Sequence, residues 1–251
     1  MSTARVAIVT GASRGLGRAL AGGLAATGYQ LITDARDGVA LRAAAAELCA
    51  TYDLPASRVL PLAGDVTDPA HRTDLAAAAA DLGGATLLVN NAGTLGFSPL
   101  PALAQYPTTD LLSSFEVNVV APIALTQLVL SDLRSRGGAV LSITSDAAVE
   151  AYAGWGGYGA AKAALEQACH VLAAEEPAVR VWWVDPGDLR TLMHQQAYPG
   201  EDISDRPLPE TVIPAFLRLV TERLPSGRYR AADLMPPRPA VDHTPGTGAA
   251  R

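Results

Sequence analysis

Lysine is nearly absent from this sequence. Of its 19 lysine and arginine residues, Lys162 is the only lysine and the other 18 are arginines. Such a bias is typical of a GC-rich genome, in which arginine codons are common and lysine codons are rare. A single lysine that persists against the bias indicates a task for which arginine is a poor substitute.

Cysteine and histidine are also scarce. Cys49 and Cys169 are isolated in alanine-rich stretches, which excludes a disulfide framework and favours two small buried hydrophobic residues. The histidines show no metal-ligand spacing, so no metal site is predicted. They are His71, His170, His194 and His243.

Basic runs and long apolar runs are missing as well. The net charge is −6 with an isoelectric point near 5.2. Without a cluster of arginines on one predicted helix, binding to nucleic acid or to an anionic membrane is not expected. No apolar stretch reaches about 18 residues without a charge, glycine or proline, so we expect no membrane span. The chain starts directly with a predicted strand rather than a signal peptide, and a cytoplasmic location is expected.

The composition supports a large folded core. The chain has 251 residues, of which 49% are apolar and 18% charged. That length suits one large α/β domain, and no linker is visible. Strands are predicted at residues 5–10, 30–35, 58–62, 86–90, 139–144, 180–184 and 228–231. Helices are predicted at residues 15–27, 39–51, 69–82, 109–134, 158–175 and 210–224.

Several predicted strands contain continuous rather than alternating apolar runs, such as Val6-Ala-Ile-Val9 and Thr86-Leu-Leu-Val89. Continuous apolar strands are covered on both faces, which is typical of a parallel sheet between two helix layers. Repeated strand–helix units predict a single-domain α/β fold, a Rossmann-like doubly wound parallel sheet of about seven strands. We expect this domain to span residues 1–235 and the Pro/Gly-rich tail at 236–251 to be loose.

A glycine-rich turn follows the first predicted strand. The segment Thr10-Gly-Ala-Ser-Arg-Gly-Leu-Gly17 then opens a helix. Glycines at these positions allow a tight turn and a close approach of the backbone to a pyrophosphate. The free amides and the dipole of the helix N-terminus favour phosphate there. The context favours a dinucleotide site over a purely structural turn.

Four motifs together resemble those of the short-chain dehydrogenase/reductase family. They are the glycine turn, Asn90-Asn-Ala-Gly93, Ser145 thirteen residues before Tyr158-Gly-Ala-Ala-Lys162, and Pro186-Gly187. The match runs from about residue 5 to residue 191, and it is similar to the NADP(H)-preferring carbonyl reductase type. The resemblance implies a Rossmann-type oxidoreductase with a variable substrate lid at about residues 188–210.

The resemblance also implies which residues bind the dinucleotide. Asp65 and Val66 would lie against the adenine, the Asn-Asn-Ala-Gly turn would line the cleft, and Thr191 would lie near the nicotinamide carboxamide. The implied set is Gly11, Ser13, Arg14, Gly15, Leu16, Gly17, Arg36, Asp65, Val66, Asn91, Ala92, Gly93, Tyr158, Lys162, Pro186, Gly187 and Thr191.

The choice between NADP(H) and NAD(H) depends on the end of the second strand. NAD-specific members carry an acidic residue there, and in this chain the position falls on Ala35, followed by Arg36. With Arg14 in the glycine turn, two guanidinium groups would suit a 2′-phosphate. We therefore expect NADP(H), with NAD(H) as the alternative. A one-residue shift in register would instead direct Asp34 at the ribose.

The catalytic residues implied by the resemblance are Asn118, Ser145, Tyr158 and Lys162. At an (i, i+4) spacing the phenol and the ammonium share one helix face, and the ammonium is expected to lower the pKa of Tyr158. Tyr158 would then act as the acid/base, while Ser145 binds the substrate oxygen. Asn118 would interrupt its helix locally and position a water beside Lys162.

The substrate pocket is less well defined by sequence. Its expected residues are Leu95, Tyr152, Trp155, Leu192 and Met193, with Phe97 as a further apolar candidate. Trp155 indicates either an apolar wall of the pocket or an aromatic residue at an interface. His194 is expected to be a solvated loop residue.

The sequence thus predicts hydride transfer between a nicotinamide and the carbonyl or secondary alcohol of a small or medium organic molecule. Two alternatives remain: an epimerase or dehydratase on the same scaffold, and a non-catalytic dinucleotide-sensing protein. The family commonly pairs through two long helices, here at residues 109–134 and 158–175, so a homodimer or homotetramer is expected.

Overall fold

The computed structural model of the protein describes residues 5–235, so the predicted loose tail at 236–251 lies outside the described residues. These residues form a parallel sheet in the order β3-β2-β1-β4-β5-β6-β7. The strands are β1 (Val6–Val9), β2 (Gln30–Ala35), β3 (Val59–Ala63), β4 (Leu87–Asn90), β5 (Ala139–Ile143), β6 (Arg180–Asp185) and β7 (Gly227–Arg230). The predicted seven-stranded, doubly wound α/β fold is confirmed.

Helices connect the strands and cover the sheet. They are α1 (Gly15–Ala26), α2 (Gly38–Thr51), α3 (Pro69–Asp81), α4 (Thr108–Phe115), α5 (Ala121–Ser135), α6 (Gly156–Glu175), α7 (Leu192–Ala197), α8 (Ile213–Glu222) and α9 (Ala231–Leu234). Carboxylates at their N-termini fix two of them. Asp37 accepts hydrogen bonds from the first amides of α2, and Asp68 accepts one at the start of α3.

Alternation along the strands divides the core into two layers. On β1, Ala7 and Val9 pack with α1 and α8, whereas Val6 and Ile8 pack with the helices of the opposite face. Both faces of the strand are therefore apolar, which explains the continuous apolar runs in the sequence.

The strand order reverses between β1 and β4, which are neighbours in the sheet. The chain leaves β1 towards β2 on one side and returns through β4 on the other. Loops at the carboxyl ends of these two strands diverge and leave a crevice, the usual ligand site of open α/β sheets.

Several predicted element bounds need correction. The predicted helix 109–134 is a continuous helix, Thr108–Ser135, with a π-helical turn at Glu116–Val120 between α4 and α5. The predicted helix 210–224 starts as a 3₁₀ turn at Pro209–Val212, because Pro214 has no amide to donate to the Glu210 carbonyl, as an α-helix from residue 210 would require. Helices α7 and α9 were not predicted, since each spans fewer than two turns and shows little periodicity.

The helix Thr108–Ser135 is the one candidate membrane span within residues 5–235 by length and composition. Its most apolar stretch has a mean hydropathy of 1.4, and 44% of that stretch is buried in the protein. Asn118 is fully buried near its middle. Core helices of α/β domains commonly combine this length with this composition, so the feature is weak support for a span.

Candidate active site

A cleft of about 770 Å³ opens at the carboxyl ends of β1 and β4. It continues past the ends of β5 and β6 to α7. All the residues named above for the dinucleotide border it, from Gly11 in the glycine turn to Thr191. The structure thus gathers at one site residues that are up to 180 positions apart in the chain.

Close packing between the glycine turn and the loop after β4 shapes the pyrophosphate end. A Cβ atom on Gly17 would overlap the Gly11 carbonyl oxygen and the Asn91 side chain. Gly11 itself has φ +68°, in the left-handed region that favours glycine. Asn91 Nδ2 donates to the Thr10 carbonyl at 2.8 Å, and Thr10 Oγ1 accepts from the Asn91 and Ala92 amides at 3.0 Å. These contacts fix the glycine turn beside the N-terminus of α1, an arrangement that fits the pyrophosphate of a dinucleotide.

The adenosine end carries both expected arginines. Arg14 and Arg36 are exposed and border the cleft, as does Asp65. Hydrogen bonds from Thr67 and the nearby Arg36 charge hold the pKa of Asp65 below its ordinary value.

Asp34 turns its carboxylate towards α3. Its Oδ1 lies 2.6 Å from His71 Nε2, and both side chains are buried. This partnership was not predicted, because His71 lies 37 positions away and carries no motif.

Tyr158 and Lys162 lie one turn apart on α6 and face the cleft. Lys162 Nζ donates to the Ile143 carbonyl at 2.9 Å and lies 5.5 Å from the centroid of the Tyr158 ring. Trp155 packs edge-on against Tyr158, with ring centroids 5.7 Å apart. Both Tyr158 and Lys162 are buried.

The expected lowering of the Tyr158 pKa is wrong for this structure. Burial raises the pKa of Tyr158 above its ordinary value, and the charges of Asp185 and Asp146 raise it further. Burial also lowers the pKa of Lys162, to about 8. The spacing along the helix shows only the neighbouring ammonium. Desolvation, which depends on the tertiary structure, has the larger effect on the pKa of both groups. The phenol is protonated at neutral pH and can donate a proton, and its raised pKa makes it a weaker acid than an exposed tyrosine.

Ser145 follows β5 and borders the cleft beside a residue that the sequence argument missed. Its Oγ donates to Asp146 Oδ1 at 2.9 Å and accepts from the Ala147 amide at 3.2 Å. Tyr152 donates to the other carboxylate oxygen of Asp146 at 3.0 Å. Asp146 directly follows Ser145 in the sequence, so a carboxylate beside the serine could have been predicted.

Asn118 lies within the π-helical turn, where the helix was expected to be interrupted. Its Nδ2 donates to the carbonyls of Thr94 at 2.8 Å and Ser114 at 2.9 Å, and its Oδ1 accepts from the Thr94 amide at 3.2 Å. It does not border the cleft. A Cβ on Gly93 would lie 3.0 Å from Asn118 Oδ1 and 3.6 Å from Lys162 Nζ, so both groups lie against Gly93.

Four of the five expected pocket residues border the cleft: Leu95, Trp155, Leu192 and Met193. Tyr152 does not, because its hydroxyl turns to Asp146. Phe97 does not border it either; its side chain is exposed.

Residues 188–210, the predicted lid, are held by charged and aromatic contacts. Asp188 lies 3.8 Å from both His194 Nδ1 and Arg206 Nε, and the Arg190 amide donates to the Pro207 carbonyl at 2.8 Å. The expectation that His194 is solvated is wrong. Its ring is buried and lies 5.0 Å from the Tyr198 ring, because α7 turns it inward.

Arg228, on β7, contacts α6, the segment that follows β5, and the end of β6. Its Nε donates to Glu166 Oε1 on α6 at 2.9 Å, and its Nη2 donates to the Ser145 carbonyl at 3.2 Å. Asp185 Oδ2 lies 3.9 Å from the same guanidinium, while Asp185 Oδ1 accepts from the Gly187 amide at 2.9 Å. Asp185 therefore shapes the Pro-Gly turn that borders the cleft.

Comparisons with known proteins agree with this geometry. The sequence model of short chain dehydrogenases matches residues 5–202. A sepiapterin reductase from Meriones unguiculatus is 38% identical over 203 residues, which cover 76% of this chain and 77% of that protein. A short-chain dehydrogenase from Streptomyces avermitilis has a TM-score of 0.77 at 33% identity and covers 93% of this chain and 91% of its own. An alcohol dehydrogenase from Thermococcus sibiricus, complexed with 5-hydroxy-NADP, has a TM-score of 0.80 at 26% identity, over 90% of this chain and 95% of its own.

The sheet topology, the cleft and these matches define the class of the protein as a Rossmann-like oxidoreductase. The chain belongs to the short-chain dehydrogenase family. It is accordingly an NAD(P)-dependent enzyme that interconverts CH–OH and C=O groups.

Proposed function

We propose that the protein is an NADP(H)-dependent reductase of carbonyl groups in small or medium organic molecules, with Tyr158 as the proton donor. The observation that carries this proposal is the juxtaposition of Tyr158, Lys162 and Ser145 at the end of a cleft that also holds Arg14 and Arg36 at its other end.

The residues present fit a dinucleotide. The glycine turn and the N-terminus of α1 would hold the pyrophosphate, Arg14 and Arg36 the 2′-phosphate, and Asp65 and Val66 would border the adenine. When bound, the nicotinamide supplies or accepts the hydride. NADP(H) is the better match, since the Ala35 side chain offers no carboxylate to the ribose and two guanidinium groups are nearby.

The chain's own residues handle the proton. Tyr158, which is protonated at neutral pH and faces the cleft, would donate a proton to the substrate oxygen. Ser145 would hydrogen-bond the same oxygen and stabilise its developing charge. Lys162, fixed by the Ile143 carbonyl, would hold the nicotinamide ribose, and Asn118 would hold a water behind Lys162.

The substrate end combines aromatic and acidic groups. Trp155 packs against Tyr158 and Tyr198, and the carboxylates of Asp146 and Asp188 border the same space. These surfaces favour a planar carbonyl compound that carries hydrogen-bond donors. Sepiapterin belongs in a substrate screen because sequence relatives are named for its reduction. Residues 188–210 would form the lid over this end.

We also expect two copies to pair through the long helices. Leu112, Val120 and Leu128 on the helix Thr108–Ser135 and Val171 on α6 are exposed apolar residues. Covering them would remove apolar surface from water, so sedimentation analysis is expected to give a dimer or tetramer.

The proposal is tested by titrating the purified protein with NADP(H) and, separately, with NAD(H) in a thermal-shift assay. A ligand at about 100 times its dissociation constant stabilises by about 2.7 kcal/mol. For a protein of this size, that corresponds to a rise in Tm of roughly 5–10 °C. A rise with NADP(H), followed by substrate-dependent NADPH oxidation in a carbonyl panel, is expected. No rise with either dinucleotide would contradict the proposal.

A further inference from the structure

The adenosine end of the cleft holds a carboxylate that conflicts with phosphate binding. Asp34, at the penultimate position of β2, borders the same cleft as Arg14 and Arg36. An accessible carboxylate there would repel a 2′-phosphate and would instead accept hydrogen bonds from ribose hydroxyls. Yet the Asp34 side chain is only 2% exposed.

Its contacts direct the carboxylate away from that role. Asp34 Oδ1 lies 2.6 Å from His71 Nε2, and the nearby Gly11 amide also stabilises the charged form of the carboxylate. The backbone carbonyl of Asp34 accepts from the Ala12 amide at 2.8 Å. Strand β2 and the glycine turn are thus joined at this residue.

The fold makes room for the imidazole. His71 lies in the first turn of α3 and is 8% exposed. Its ring covers Gly64, where any Cβ would overlap the ring atoms. Gly64 in turn donates from its amide to the Ala35 carbonyl at 3.1 Å. The His71 ring therefore packs closely against Gly64, which is hydrogen-bonded to the end of β2.

We propose that His71 is a positioning residue that sets the coenzyme preference. It holds the Asp34 carboxylate against α3 and away from the ribose, so that Arg14 and Arg36 are left to bind the 2′-phosphate. This inference rests on the proposed preference for NADP(H) and adds the residue that enforces it. Removing the imidazole frees the carboxylate, weakens NADP(H) binding and strengthens NAD(H) binding.

The test is calorimetric measurement of the dissociation constants for NADP⁺ and NAD⁺, repeated with 2′,5′-ADP and 5′-AMP, which lack the nicotinamide. In His71→Leu the ratio of the NAD⁺ to the NADP⁺ dissociation constant is expected to fall at least about tenfold. In Asp34→Asn/His71→Leu, which has no carboxylate to free, it is expected to return to within about threefold of the wild-type value. In His71→Gln, which keeps a hydrogen-bond donor for Asp34, the ratio is expected to lie closer to the wild-type value than in His71→Leu.

The outcomes separate this inference from the function on which it rests. A wild-type preference for NADP⁺ with an unchanged ratio in His71→Leu overturns the inference alone. A wild-type preference for NAD⁺ overturns both, because Asp34 would then bind the ribose despite His71. If His71→Leu does not fold, Asp34→Asn decides: a ratio within about threefold of wild type supports the inference, and a tenfold increase overturns it.

Discussion

The Lys162 ammonium lies 5.5 Å from the centroid of the Tyr158 ring, with its nitrogen hydrogen-bonded to the Ile143 carbonyl. The pair is buried, and burial shifts the two groups in opposite directions: it raises the pKa of Tyr158 and lowers the pKa of Lys162 to about 8. Lys162 therefore loses its proton at a lower pH than Tyr158 does. In the expected arrangement, an activated tyrosine beside a lysine that stays charged, the order would be the reverse.

Replacing Tyr158 with Phe is expected to lower kcat for carbonyl reduction by about 10²–10⁴-fold or more, because the proton donor is lost. The dissociation constant for NADP(H) should change little. Tyr152→Phe is the matched control, since Tyr152 lies nearby but does not border the cleft. Steady-state kinetics and calorimetry measure both quantities. Retained reduction in Tyr158→Phe would exclude the proposed proton donor.

Lys162 offers a direct measurement because it is the only lysine in the chain. Its pKa of about 8 predicts that reductive methylation of Lys162 accelerates between about pH 7 and 9. An ordinary lysine, with a pKa of about 10.4, would accelerate only at higher pH. Mass spectrometry of the peptide that contains Lys162 distinguishes methylation of this lysine from methylation of the N-terminal α-amine. The same reaction on the urea-unfolded protein gives the reference pH dependence. A midpoint near 10 in the folded protein would contradict the prediction.

The same shift makes stability depend on pH. Between pH 8 and 10.5, which are the folded and ordinary pKa values of Lys162, the unfolded state binds more protons than the folded state. The free energy of unfolding should therefore rise with pH across this window, by up to about 3 kcal/mol. Lys162→Met removes the effect and leaves other titrating groups in place. Urea melts of both proteins at several pH values measure the difference, and parallel curves would exclude it.

Asp146 is expected to control the ionisation of Tyr158. Its charge raises the pKa of Tyr158, so Asp146→Asn should lower that pKa and move the oxidation pH profile, which requires the phenolate, towards lower pH. Asp110→Asn, at another carboxylate bordering the cleft, serves as the control. Equal profiles for the two variants would show that Asp146 acts only structurally.

Arg228 is expected to matter for stability more than surface arginines do. In Arg228→Met, the partly buried Glu166 loses its ion pair and keeps only the Thr144 hydroxyl as a donor. The Ser145 carbonyl keeps the Ala148 amide and loses the guanidinium, and together these losses should cost about 2–3 kcal/mol. Arg218→Met is the matched control, because its ion pair with Glu222 lies on the surface of α8 and should contribute under about 1 kcal/mol. Chemical denaturation compares the two, and similar losses would contradict the argument.

Much of the fold could be predicted from local sequence patterns. The apolar run Val6–Val9 and the turn after it mark a buried strand followed by a helix, and both are local signals. Helix α7 and the 3₁₀ start at Pro209–Val212 were not predicted, because each is shorter than two helical turns and shows little periodicity. Short elements with weak periodicity are fixed by tertiary contacts more than by their own residues.

The sequence by itself determined the strand–helix alternation, the glycine turn, and the Ser145, Tyr158 and Lys162 positions, because each depends on spacing along one element or on a contiguous motif. Only the tertiary structure decided the electrostatics. His71 meets Asp34 across 37 positions, Arg228 reaches Ser145 across 83, and burial outweighs the Lys162 charge at Tyr158. Desolvation and long-range pairing depend on what surrounds a group in space, and a linear pattern does not contain that information.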